Sequence, residues 1–290
     1  MFTGKHAESQ SSWTAFGTKE SESALRSKAQ KNGNPLEAFK ALFQNDQLLW
    51  VALSYLLYAI ANVATTGVLI FPFKFVLDNQ AAYSATGVIA LVAGLIMAPL
   101  YPILNKRIPR RYLYIGGMIS MIAGYILLGI FANNMIMVFV ALILFYVPGT
   151  LIQMTAILSL TDSIEYGQLK NGKRNEAVTL SVRPMLDKIG VALSNGIVGF
   201  IAVAAGMTGD ATVADMTAAN INTFKTCAFY VPLDLIVLSL LVFMFKVKIN
   251  EKMHAEIVEQ LEAKLAAGEI PDEEVKTVET VEASTRRPRF

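Results

Sequence analysis

Charge is what this sequence most lacks. Asp, Glu, Lys and Arg make up 17% of its 290 residues, against about 25% in an ordinary soluble domain. The shortage is uneven: positions 48–250 carry 13 Lys/Arg and 8 Asp/Glu, mostly in short clusters. A soluble enzyme of this size is excluded by that distribution. Cysteine is reduced to Cys227, which rules out an intramolecular disulfide and any multi-cysteine metal site. A net charge of +2 leaves no face-wide basic patch, so no nucleic-acid partner is expected. The first 33 residues lack the apolar core of a signal peptide.

What is abundant is apolar sequence, 54% of the chain, with a mean hydropathy of +0.46. It falls into six blocks, approximately 48–76, 84–104, 112–132, 135–160, 178–205 and 226–245. Each is long enough to cross a bilayer as a helix, which takes roughly 20 residues. Continuous runs of this kind do not fit the alternating segments of a membrane β-barrel. The fold class expected is an all-α membrane protein of six transmembrane helices. Lys and Arg collect in the N-terminal segment, at Lys106, Arg107, Arg110 and Arg111, at Lys170, Lys173 and Arg174, and at Lys246, Lys248 and Lys252. The intervening connections, 78–83, Asn133-Asn134 and 206–224, have neither. That alternation predicts cytoplasmic termini, with the chain embedded in the lipid of the plasma membrane.

The organisation read from this pattern is a disordered polar segment over 1–34 and an interfacial amphipathic helix over 35–47. A six-helix domain over 48–249 follows, then an amphipathic helix over 250–268 and a disordered acidic tail over 269–290. In the fourth part Met253, Ile257, Leu261 and Leu265 recur every four residues, and the stripe either faces solvent or docks on the inner face of the bundle. Pro99, Pro102, Pro148 and Pro184 should kink their spans.

Ionisable groups within spans ask for an explanation, because each costs roughly 2.5–3.5 kcal/mol at the helix centre. The fifth block holds three: Arg183, Asp187 and Lys188. Arg183 and Asp187 are four apart and can pair. Either Asp187 serves both cations in a buried packing triad, or the three line a water-filled cavity that binds a polar solute, the reading favoured here. Gly190, Ser194, Gly196 and Gly199 in the same block suit close helix packing. Lys74 should snorkel to the outer surface, and Asp234 could serve a site or pair with a neighbouring helix. Gln153, Thr155, Asn62, Thr65 and Thr66 are uncharged groups able to bond hydroxyls. Between the fourth and fifth blocks, Asp162 and Glu165 close one helix while Lys173, Arg174 and Glu176 precede the next. These opposed charges suit a salt-bridge gate on the cytoplasmic side. A membrane-embedded enzyme is not expected: His6 and His254 lie in the tails and neither HExxH nor GxSxG occurs.

The stretch from 161 to 190 resembles the glycoside–pentoside–hexuronide:cation symporters of the major facilitator superfamily. The resemblance rests on Asp162, Glu165, Tyr166, Gly167, Lys170, Gly172, Arg174 and Glu176, then Lys188 and Gly190. Asn45 to Trp50 resembles the start of that family's second half, and 183–199 is most similar to its lactose, galactose and raffinose permease branch. The resemblance implies half of a major-facilitator-type carrier that takes up a galactoside by alternating access. It places Lys188 near sugar and coupling cation (H⁺ or Na⁺), with no other cofactor. It also puts Gln153 where the melibiose branch has a sugar-facing tryptophan. Asp162, Glu165 and Arg174 match its gate, and Lys173 stands where galactoside members often carry histidine. Family members have twelve spans, so an N-terminal six-helix half is the partner implied; a non-transporting remnant or sensor is the alternative.

Overall fold

A computed structural model describes residues 43–172, 176–209 and 211–267. All regular structure among the described residues is helical. Six helical segments are long and apolar enough to cross a membrane. The segments expected over 1–34 and 269–290, and most of the amphipathic helix expected over 35–47, lie outside the described residues.

Helix α1 (Asp46–Val68) begins at Asn45, whose side chain accepts from the Leu48 N–H at 3.0 Å. The same amide donates to the Ser163 carbonyl at 2.6 Å, tying the start of α1 to the fourth span. The first span then continues into a π turn, Pro72–Val76. Helix α2 (Ser84–Arg107) and helix α3 (Arg110–Phe131) follow. Asn134 caps helix α4 by accepting from the Ile136 and Met137 amides. Helix α4 (Met135–Asn171) has 37 residues, about 55 Å at 1.5 Å per residue, so it outruns a hydrocarbon core of about 30 Å. The span predicted to end near 160 therefore carries Asp162 and Glu165 on its extension. Gly172 stops it at φ +68, a left-handed conformation that glycine adopts without Cβ strain.

Helix α5 (Glu176–Ala204) is the fifth span. The sixth starts earlier than 226: helix α6 (Ala218–Lys225) runs through a π turn (Thr226–Tyr230) into helix α7 (Val231–Lys246). Helix α8 (Glu251–Ala266) completes the described chain. Pro99, Pro102, Pro148 and Pro184 all sit inside helices that continue past them.

The bundle is organised around α1, which packs against α5 and α7, and α4, which packs against α2 and α3. Tyr58, Tyr114, Tyr125 and Phe145 fill its centre. The tyrosine hydroxyls are spent internally: Tyr125 pairs with Thr65 at 2.8 Å, and Tyr114 with Ser54 at 2.9 Å. Each of α2 and α5 leaves one face open. Val88, Leu91, Leu95 and Ile96 of α2 are exposed, as are Val191, Phe200 and Val203 of α5. The small residues of α5 divide accordingly. A Cβ at Gly190 would stand 3.3 Å from the Ala59 Cβ of α1, and Ser194 donates to the Ile60 carbonyl, whereas Gly196 and Gly199 face open space.

Candidate functional site

Helix α5 projects its charged trio in two directions, because successive residues on a helix point about 100° apart. Asp187 turns inward and accepts a hydrogen bond from the Tyr55 hydroxyl of α1 at 2.6 Å. Arg183 lies on the same face, with its Nε 4.0 Å from the Asp187 carboxylate and its guanidinium 6.0 Å from the centre of the Tyr55 ring. That Nε is buried without a hydrogen-bond acceptor among the described residues, so a donor remains available. Lys188 points the other way. It is exposed and forms no salt bridge among the described residues, and the triad in which Asp187 serves both cations does not form. Lys188 instead sits on the open stripe that includes Pro184, Val191 and Gly199.

Gln153, from α4, reaches the edge of this cluster. Its amide stands 3.5 Å from the Tyr58 hydroxyl, which donates to the Gly149 carbonyl at 3.3 Å. The Tyr55 and Tyr58 ring centres are 5.9 Å apart. A path of contacts thus runs from Gln153 through two tyrosines to Asp187 and Arg183. Tyr55 and Tyr58 are buried behind this surface, and the half-buried Gln153 amide, Arg183 guanidinium and Asp187 carboxylate reach it; such groups are the equipment for binding a neutral polyhydroxylated solute. Tyr55 and Tyr58 were missed in the sequence because aromatics three apart in an apolar block look like core. Conversely, Thr65 and Thr155 are not cavity groups: they pair with Tyr125 and with Tyr101 (3.1 Å) and are fully buried. Thr66 bonds back to its own helix. Asp234 is exposed on α7 and forms no salt bridge among the described residues. Lys74 rests over the Phe75 ring at 4.7 Å, near Asp78.

The expected gate residues are partly recruited elsewhere. Asp162 forms a 2.7 Å ion pair with Arg110, at the start of α3. The Arg110 backbone N–H donates to Glu251 of α8 at 2.5 Å, and its Nε is 3.3 Å from the same carboxylate. His254 Nε2 lies 3.7 Å from both Asp162 and Glu165. Asp46 draws Tyr166 (3.0 Å) and Lys170 to the start of α1. Glu176 begins α5 in an exposed position, and Lys173 and Arg174 lie outside the described residues. Helix α8 thus docks on α4, with Ile257 buried and Met253 and Leu261 half-buried; the Leu265 side chain is outside the described residues. Partial burial works against the Glu251 charge, but the Arg110 N–H and guanidinium outweigh it and hold the carboxyl below its ordinary pKa. Among the described residues no group of His, Cys, Asp and Glu has the geometry to hold a metal.

Comparison with known proteins shows the family of the chain. The model of the family described as MFS/sugar transport protein matches residues 12–251. A lactose permease of Leuconostoc lactis is 49% identical over 283 residues, covering 92% of this chain and 44% of the permease. A lactose permease of Lactobacillus helveticus is 46% identical with the same coverage. A raffinose carrier protein of Pediococcus pentosaceus is 37% identical, covering 87% of this chain and 40% of the carrier. The chain spans less than half the length of these curated relatives. Their names are those of transporters, not enzymes.

Proposed function

The chain belongs to the MFS/sugar transport protein family, and from that premise we propose that it is the C-terminal half of a sugar:cation symporter. Its substrate class is a galactoside, in keeping with the lactose permeases and raffinose carrier it is similar to. Its setting is a bacterial plasma membrane, with the lysine- and arginine-rich end cytoplasmic. The observation that carries the reading is the polar wall of Asp187, Arg183 and Gln153, held from behind by the buried Tyr55, on a bundle whose α2 and α5 faces are uncovered. An N-terminal six-helix half would cover those faces and complete the cavity between halves near the midplane.

In such a carrier the open-facing Lys188 meets carboxylates of the other half, where the coupling cation, H⁺ or Na⁺, is held. Binding of cation and sugar together favours rocking between outward- and inward-open states, and the cation gradient makes accumulation favourable. Asp162 and Glu165 stand at the cytoplasmic mouth as gate residues, and their described partners Arg110 and His254, in the same half, tie α3, α4 and α8 together there. Glu176, at the start of α5, borders the same mouth.

The test is uptake of radiolabelled lactose into vesicles containing this chain alone, or this chain together with an N-terminal half from a lactose permease. Accumulation above the empty control is expected only for the pair, and a protonophore or sodium removal should abolish it. Accumulation by the chain alone would overturn the need for that half. A pair that assembles but accumulates no sugar would overturn the transport reading in favour of a non-transporting remnant.

A further inference from the structure

At the lysine- and arginine-rich end, the turn between α2 and α3 and the turn between α7 and α8 border an open, solvent-facing cavity of about 470 Å³. That is within the roughly 300–1,000 Å³ usual for small-ligand sites. Its lining includes four cations, Lys106, Arg107, Arg111 and Lys252, against one carboxylate, Glu251. Arg111 is occupied, donating to the Val247 carbonyl at 3.0 Å and the Met244 carbonyl at 2.6 Å. Glu251 is held by Arg110. Lys106, Arg107 and Lys252 form no salt bridge among the described residues. Three like charges gathered around one cavity repel each other, and an anion between them would reverse the sign of that interaction. Asn105, also in the lining, has a buried side-chain oxygen with no hydrogen-bond donor.

The place of the cavity says which anion. Helix α2 ends at Arg107 and α3 starts at Arg110, so the cations stand where two spans leave the hydrocarbon layer. Immediately beside them Ile103, Ile108 and Tyr112 are 55%, 39% and 64% exposed. Tyrosine at that level is typical of the membrane interface, and the isoleucines offer an apolar flank that a free inorganic anion could not use. We infer that this cavity binds the headgroup of an anionic phospholipid. Lys106, Arg107 and Lys252 face the phosphodiester, Asn105 accepts from a headgroup hydroxyl, and the acyl chains lie along Ile103 and Ile108. Bound there, the lipid joins the α2–α3 turn to the base of α8. None of these residues belongs to the proposed sugar wall, so the inference stands or falls apart from transport.

The experiment is native mass spectrometry of the full chain in detergent, titrated with phosphatidylglycerol, with phosphatidylcholine of the same acyl chains, and with inorganic phosphate. Phosphatidylglycerol should be retained at least tenfold more tightly than phosphatidylcholine, a preference that shrinks as ionic strength rises. Each cation near an anionic headgroup contributes roughly fivefold. Lys252→Gln should therefore lower the preference about fivefold, and the triple change Lys106→Gln, Arg107→Gln, Lys252→Gln should erase it. Equal retention of the two lipids, or an unchanged preference in the Lys252→Gln protein, would overturn the proposal. Displacement of phosphatidylglycerol by an equal concentration of inorganic phosphate would also overturn it, in favour of a free-anion site. The single variant changes an exposed side chain and keeps the test valid should the triple variant fail to fold.

Discussion

A lysine in the middle of a span costs roughly 2.5–3.5 kcal/mol, and Lys188 carries that cost on an exposed stripe with no salt bridge among the described residues. Its neighbour Asp187 is already committed to Tyr55 and Arg183. The countercharge for Lys188 must then come from outside this bundle, in water or in a second half. In a carrier completed with an N-terminal half, Lys188→Ala should leave insertion and thermal stability intact and abolish concentrative uptake. Lys188→Arg should lose only part of it, because the guanidinium keeps the charge but not the compact shape of the ammonium. Labelled-lactose uptake beside a melting curve separates these outcomes; normal uptake and cation dependence in Lys188→Ala would reduce the residue to packing.

At the scale of elements, close approach and docking decide stability. A Cβ at Gly124 would stand 3.0 Å from the Ala141 carbonyl, whereas at Gly196 it would meet nothing. Gly124→Val should therefore push α3 from α4 and cost about 1–3 kcal/mol. Gly196→Val should lie within about 0.5 kcal/mol of the parent protein. Thermal unfolding of the two purified variants in detergent checks the contrast. For α8 the lever is Glu251, whose folded pKa is depressed by Arg110. The sign follows from linkage: a depressed carboxylate contributes stability above its unfolded pKa of about 4.3, and loses it as pH falls through the lower folded value. Through Glu251, hydrogen-exchange protection of α8 should fall as pH drops below about 4.3. Glu251→Gln should lower protection already at pH 7. Protection that is equal at pH 7 and pH 3.5 would show that the ion pair does not hold the helix.

For the whole molecule, orientation is the first property to test. The basic turns alternate with neutral ones along the chain, and the positive-inside rule converts that alternation into a topology. A reporter inserted after Asn134 should be extracytoplasmic and one after Lys170 cytoplasmic. Phosphatase and fluorescent-protein fusions read opposite sides, and the reverse pattern at either site would remove this orientation. The open faces of α2 and α5 make a second demand on the whole: in an isolated half, Lys188 on the open stripe borders on lipid.

Six spans and their approximate limits were legible in the sequence because hydropathy acts locally: a run of some 20 apolar residues needs no partner to prefer a membrane. The Arg183–Asp187 pair was legible for the same reason, as four residues on a helix bring side chains to one face. Where α4 ends was less so, since its polar last turns leave the hydrocarbon without breaking the helix. What only the tertiary structure decided are the meetings of residues far apart in the chain. Tyr55 finds Asp187 across 132 positions, and Asp162 finds Arg110 and His254 rather than standing free for a gate across the adjoining loop. Thr65 and Thr155 became internal struts, and His254, set aside as part of a tail, arrived beside two carboxylates. Those outcomes depend on how each helix is rotated about its axis and which neighbour it packs against. Rotation is set by the summed fit of whole helix faces, which no local stretch of sequence contains.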